Sequence, residues 1–193
     1  MVRIFAAGDF HGDKNIARKL AEQSSKLYAD LIILNGDIVE EDNAGGVLYY
    51  FVKTGKPVFL VPGNHDWFIT DFLAAKYGVQ NIHGKSVRHG DVSIVGCGGA
   101  GFLSEKEMYD IIKKNSQAGA HKSVLVTHVH SAGTLMESFS DFVRGSSGLR
   151  KAIEATMPDV AVCGHVHEAE GIEEKLGKTL LINVGKKGRL IEL

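Results

Sequence analysis

Five apolar runs in this chain each stop at a cluster of histidine, aspartate or asparagine, and that repeated ending constrains the fold more than any other feature. Residues 2–7 run into Gly8-Asp9-Phe10-His11-Gly12-Asp13, and residues 31–34 into Asn35-Gly36-Asp37-Ile38-Val39-Glu40. Residues 58–61 precede Gly63-Asn64-His65-Asp66, residues 124–126 precede Thr127-His128-Val129-His130, and residues 160–163 precede Gly164-His165-Val166-His167. Short apolar runs without alternation are strands buried on both faces. In an α/β sheet the ends of such strands are where sites assemble.

Between the runs lie helical patterns. Ile16, Ala17, Leu20, Ala21 and Leu27 recur at helical spacing among charged residues, with Asp13 placed as N-cap. Residues 47–53 and 67–77 follow the second and third loops, the latter closed by Gly78 and capped by Asp66 on this reading. Ser104 and Glu107 form a capping box for a helix over residues 104–114, and another helix spans residues 148–156. Strand, loop and helix in alternation predict parallel strands. Residues 80–83 and 92–95 read instead as an antiparallel hairpin, and residues 173–178 lead through a turn into a strand at 179–184. Residues 130–147 are the longest irregular stretch and are expected to face substrate.

The bulk numbers narrow the class. With 193 residues the chain is expected to form one domain over residues 1–193. A net charge of −1 offers no basic footprint, so no stable nucleic-acid complex is indicated. No apolar run approaches the roughly 20 residues of a membrane span. The first apolar run is too short for a signal-peptide core, which makes a cytoplasmic location the expectation. Two cysteines, Cys97 and Cys163, are too few for a disulfide framework and are expected to be reduced and buried.

Asp9 and His11 lie two residues apart, as do His165 and His167, so in extended chain each pair faces one side. With Asp37, Asn64 and His128 they supply only nitrogen and oxygen donors, which suits manganese, iron, zinc or cobalt rather than a thiolate zinc site. Seven donors exceed one ion with an open position but suit two ions sharing a carboxylate. Two divalent ions, two aspartates and one hydroxide would leave a core charge of roughly +1 that attracts a phosphate oxygen. His83, His89 and His121 sit beside turns and read as surface residues, whereas His130 is one strand period from His128 and could support it.

Taken in order, Asp9-Phe10-His11, Gly36-Asp37, Gly63-Asn64-His65-Asp66, His128 and Gly164-His165-Val166-His167 resemble the signature of the calcineurin-like metallophosphoesterase superfamily. The resemblance implies a four-layer α/β/β/α sandwich: two mixed sheets flanked by helices, with a dimetal site at the strand ends. It implies that one ion takes Asp9, His11, Asp37 and His167, that the other takes Asp37, Asn64, His128 and His165, and that Asp37 bridges them. It further implies that His65 contacts the phosphate or protonates the leaving oxygen, with Glu40 orienting it. Where many small members carry Asn-Pro-Gly-Ser, this chain has Asn183-Val184-Gly185-Lys186. No cap domain or long insertion is visible, so enclosure of a substrate falls to residues 130–147, where Arg144 could add a phosphate contact.

The expected function is therefore hydrolysis of small phosphodiesters or phosphomonoesters by attack of a metal-bridging hydroxide. Two rivals make different demands. A protein-interaction scaffold of the same fold would have lost ligands, and a single-metal hydrolase would hold one equivalent of metal per chain.

Overall fold

A computed structural model describes residues 1–40, 45–116 and 121–193. Eleven strands form two sheets among the described residues. The first has the order β11-β1-β2-β3-β4: β1 is Arg3–Ala7, β2 Leu31–Leu34, β3 Val58–Leu60, β4 Gln80–Asn81 and β11 Arg189–Glu192. The second has the order β5-β6-β7-β8-β10-β9: β5 is Lys85–His89, β6 Val92–Cys97, β7 Lys122–Thr127, β8 Val160–Cys163, β9 Glu173–Leu176 and β10 Thr179–Asn183.

The unbroken apolar runs follow from burial on both faces. In β1, Phe5 and Ala7 point to a core shared with helices, while Ile4 and Ala6 point to the second sheet. In β2, Ile32 and Leu34 join the helix side and Leu31 and Ile33 the inter-sheet side. The second sheet mirrors this: Ile94, Val124, Val126, Val160 and Val162 face inward, and Val95, Leu125, Ala161 and Cys163 face its own helices. Three cores thus separate four layers.

Helices α1 (Lys14–Lys26), α2 (Val47–Val52) and α3 (Thr70–Tyr77) belong to the first sheet, and α4 (Glu105–Asn115) and α5 (Ser147–Thr156) to the second. Asp13 caps α1, its Oδ1 accepting from the Asn15 and Ile16 amides at 2.8 and 3.0 Å, a contact worth about 1 kcal/mol. The Ser104–Glu107 capping box starts α4 as expected. Cys97 and Cys163 are free and buried, as read from the sequence. No described helix is long and apolar enough to cross a membrane.

Two expectations need correction. The predicted hairpin of residues 80–83 with 92–95 does not form: β4 joins β3 in parallel at the edge of the first sheet, and β5 takes its place beside β6. The chain crosses between sheets at residues 82–84, where Gly96 lets Ile82 approach its backbone. Helix α3 begins at Thr70 rather than near Trp67, its N-cap is Ile69, and Asp66 has another use.

Candidate metal centre

β1, β2 and β3 run parallel, as do β7 and β8 in the facing sheet, and the loops leaving these five strands converge. Backbone bonds zip the first two loops together: the Asp9, His11 and Gly12 amides donate to the Gly36, Asp37 and Ile38 carbonyls at 2.9–3.0 Å. Asp66 is fully buried and fastens the second loop to the third, its carboxylate accepting from the Ile38 amide at 2.7 Å and the Gly63 amide at 2.6 Å. Burial pushes the Asp66 carboxyl up despite these two donors. Gly164 donates to the His128 carbonyl, which joins the fourth loop to the fifth.

The chain is strained where it carries donors. Asp9, His11, Asp37 and His165 all have left-handed backbones, with φ of 56°, 44°, 48° and 69°. Such a conformation costs on the order of 1 kcal/mol for a residue with a side chain, and it clusters at functional sites. Two glycines permit the close packing. A Cβ on Gly63 would lie 2.0 Å from Asp37 Oδ1, and one on Gly164 would lie 2.3 Å from Asp9 Oδ2.

The expected histidine and aspartate ligands fall into two groups, beside a third cluster of His11, Glu40 and His65. Asp9, His11 and His167 form one and Asp37, His128 and His165 the other, each with its donor atoms within 4.8 Å of one another. His11 Nε2 and His167 Nε2 are 3.2 Å apart; His128 Nε2 is 3.3 Å from Asp37 Oδ2 and 3.1 Å from Asn64 Oδ1. Asp37 Oδ2 lies between the groups, 3.9 Å from His11 Nε2 and 4.0 Å from His65 Nε2. All seven residues expected to bind metal are therefore brought together.

Hydrogen bonds fix which ring nitrogen faces the centre. His128 Nδ1 donates to the Asn35 carbonyl at 3.0 Å, which leaves Nε2 pointing at Asp37. Glu40 holds two histidines at once: Oε1 accepts from His11 Nδ1 at 2.6 Å and Oε2 from His65 Nδ1 at 2.7 Å. The expectation concerned His65 alone. Residues 41 and 42, which follow Glu40, lie outside the described residues.

The electrostatics fit divalent cations. Burial raises the Asp9 carboxyl, and the nearby charge of Asp37 adds to it, against the opposing pull of His128 and the His165 amide. Burial would also raise Asp37, but hydrogen bonding and charge from His128, with the His65 amide, hold it well below the usual carboxylate range. His165 is pushed down to about 4 by burial and by His128, so it is neutral and able to ligate. Among the described residues no lysine or arginine pairs with Asp9 or Asp37; histidines alone face them. Buried charges are paired or bound to metal: without an ion His128, raised against its burial by Asp37 and Asp9, answers the carboxylates, and a bound ion would displace its proton. Donors about 2.1 Å from one ion at near-right angles stand about 3 Å apart, the spacing of the His11 and His167 nitrogens.

Other expected residues fall outside the cluster. His130 is buried, and neither ring nitrogen has a hydrogen-bond partner among the described residues, so it does not brace His128. His83 is not a plain surface residue: Nδ1 accepts from the Gly98 amide at 3.1 Å, and its ring meets Trp67 edge-on. Arg144 lies on the wall of a cleft that reaches His165.

Sequence reasoning missed three supports. Asp66 resembles a helix cap, since an acid before an amphipathic run reads that way. Asn35 and Asn183 carry no supporting role on the sequence reading. Asn183 ends β10 and donates to the Val166 carbonyl at 2.9 Å, steadying the turn between His165 and His167. It is one more polar residue terminating an apolar strand, which is the signal that could have found it. Valine in place of the usual proline leaves the turn intact: Gly185 has φ 40°, and its carbonyl accepts from the Gly8 amide at 3.0 Å.

The calcineurin-like phosphoesterase superfamily domain matches residues 2–191. No curated protein sequence matches the chain. Among solved structures, the protein TT1561 of Thermus thermophilus is similar with a TM-score of 0.74 at 15% identity, over 98% of this chain and 97% of that one. A dimetal phosphatase from Danio rerio gives 0.62 at 10% identity, over 94% and 86%. A protein characterised as a novel archaeal phosphodiesterase gives 0.59 at 19% identity, over the full length of both chains.

Proposed function

Because the chain belongs to the calcineurin-like phosphoesterase superfamily, whose members are metal-dependent phosphoesterases, we propose that it is a two-metal hydrolase of small phosphodiesters or phosphomonoesters. Asp9, His11, Asp37 and His167 would hold one divalent ion and Asp37, Asn64, His128 and His165 the other. Bound there, such ions supply positive charge to phosphoryl oxygens and lower the pKa of water from 15.7 towards about 7. Nitrogen and oxygen donors without thiolate favour manganese, iron, zinc or cobalt.

The observation that carries this reading is the position of Asp37 Oδ2 between two donor groups. A carboxylate there can serve both. Asp9, buried and close to Asp37, adds the second negative charge that two divalent ions require.

His65 has a different task. Its Nδ1 is held by Glu40, its side chain is substantially exposed, and its Nε2 turns towards Asp37 Oδ2 at 4.0 Å. That puts a proton donor beside the metal centre on its solvent side, where a departing alkoxide needs one. Glu40 acts through His65 as a positioning residue, holding Nδ1 and so fixing the direction of Nε2. A scaffold role is not favoured, since the seven donors and His65 are all present and assembled.

Metal content measured alongside rate tests this. Protein loaded with manganese is expected to hold two equivalents per chain and to hydrolyse bis-p-nitrophenyl phosphate, with activity lost on chelation and restored by metal. One equivalent at full activity, or full activity after exhaustive chelation, overturns the reading.

A further inference from the structure

A cleft of about 260 Å³ opens beside His165, between the glycine-rich turn that follows β6 and the long loop that follows β7. We propose that this cleft seats the organic group of the ester, and that it selects a planar aromatic group of the nucleobase kind. The proposal rests on the phosphoesterase reading above and names the substrate class for the same centre.

The walls mix apolar and charged groups. Ala100, Leu103, Val129 and Phe142 supply apolar contact, Arg144 supplies a cation, and His165 marks the end nearest the metal centre. The one acid on the lining, Glu105, is engaged elsewhere: its carboxylate accepts from Ser146 Oγ at 2.6 Å, from Ser147 Oγ at 3.3 Å and from the Gly148 amide. Those neutral donors leave the Glu105 charge in place, so Arg144 and Glu105 balance across the lining, which suits an uncharged organic group rather than a second anion. The volume sits just under the range of about 300–1,000 Å³ typical of small-molecule sites, room for one nucleoside-sized group.

Aromatic rings gather beside the cleft around Phe102, which lies in the chain between the lining residues Gly101 and Leu103. Phe102 stacks on Trp67 with centroids 4.9 Å apart and planes 2° from parallel, and Phe68 meets Phe102 edge-on at 5.4 Å. Phe68 is 72% exposed, Phe102 40% and Phe142 95%. Core packing does not explain these rings, since they remain in solvent. Trp67 and Phe68 directly follow Asn64, His65 and Asp66 in the chain, so the platform adjoins the proton donor. The glycine run has a purpose on this view. A Cβ on Gly99 would lie 2.4 Å from the Trp67 ring, so only glycine lets the indole lie against the turn. Stacking on exposed rings accepts any base face, which predicts selectivity for aromatic esters without strict choice among bases.

Trp67 is the sole tryptophan, and its stack on Phe102, whose chain neighbours Gly101 and Leu103 line the cleft, lets its fluorescence report on the adjoining cleft. Manganese-loaded protein titrated with adenosine 5′-monophosphate should show saturable quenching that ribose 5-phosphate and inorganic phosphate do not produce. Phe142→Ala should raise the Kd for the nucleotide about tenfold, within the range of one base–aromatic stack, and Phe142→Tyr should restore it. In hydrolysis, thymidine 5′-p-nitrophenyl phosphate should exceed methyl p-nitrophenyl phosphate in kcat/KM by about tenfold, the same stack now made in the transition state. That ratio should fall towards one in a Phe102→Ala, Phe142→Ala double variant. Equal quenching by ribose 5-phosphate, or a ratio near one in the unaltered protein, overturns the cleft's role while leaving the phosphoesterase reading in place. Nucleotide quenching with neither ester hydrolysed does the reverse.

Discussion

The two halves of the centre are built by different means. Towards the interior, His128 is fully buried and Asp37 nearly so, and their neighbours are backbone groups: the Asn35 carbonyl behind His128 and the His65 amide on Asp37. Towards solvent, the side chains of His11, His65 and His167 are 21%, 43% and 41% exposed, and the first two hang from one carboxylate, Glu40. The inner half is fixed by the fold itself. The outer half is fixed by a side chain that is itself partly in water, and it is the half a substrate must approach. Metal retention should therefore depend most on the inner residues, and proton transfer on the outer ones.

The sharpest break of this contrast sets Asp37→Asn against His65→Ala. Replacing Asp37 removes the negative charge between the donor groups; the remaining amide oxygen can still accept from the His65 N–H, so the NH2 takes the place of the oxygen that faces His128. Both metal content and kcat/KM should collapse, the latter by at least about 10³-fold. His65→Ala should keep two equivalents of metal and lower kcat by about 10²-fold for alkyl leaving groups, with a much smaller loss for p-nitrophenolate. Elemental analysis and a leaving-group series read both. Metal loss in His65→Ala, or a uniform rate loss across leaving groups, would dissolve the division.

The same contrast explains what the sequence makes legible. Inner residues follow strands that are apolar on both faces, and an unbroken run such as Leu31–Leu34 closing on Asn35-Gly36-Asp37 is a strong local pattern. Lys85–His89 is an edge strand with Lys85 and Arg88 in solvent, so it carries little apolar signal, and the sequence pattern assigns the hairpin the wrong partner. Which sheet a short strand joins is decided by contacts far along the chain, here between β3 and β4. Asp66 and Glu40 are misjudged or half-read from sequence for a related reason. A carboxylate that ties two loops or two histidines together has no spacing signature, because its partners lie 25–29 residues away in three of these four bonds.

Protonation offers a second test of the inner half. An unfolded histidine titrates near 6.5, whereas burial and His128 push His165 down to about 4. Between those values the unfolded chain binds a proton that the folded chain does not, so this residue's contribution to stability falls as pH falls across the window, by up to about 3 kcal/mol. Asp9, whose carboxyl is raised by burial, works in the opposite direction over part of the same range. Comparison of chelated wild type with chelated His165→Gln isolates the histidine. Wild type should lose more denaturant stability than the variant as the pH drops from neutral towards that of the folded imidazole. A difference that stays flat would mean the inner half does not hold this imidazole neutral.

The smallest effect is the most informative about the outer half. Glu40 offers one oxygen to His11 and one to His65, and Glu40→Gln leaves only one acceptor for two ring N–H groups. Loss of a carboxylate behind a metal-binding histidine typically weakens affinity or activity about 10–100-fold. If Glu40 serves both rings, the loss should divide into a weaker metal Kd through His11 and a lower kcat through His65. The two are separable in a His65→Ala background. There Glu40→Gln has no proton donor left to disturb, so its effect on kcat should vanish while its effect on metal affinity persists. Unchanged metal affinity in that background would reduce the His11 contact to a bystander and leave Glu40 serving His65 alone. A persisting loss would show that one exposed carboxylate couples metal retention to proton delivery.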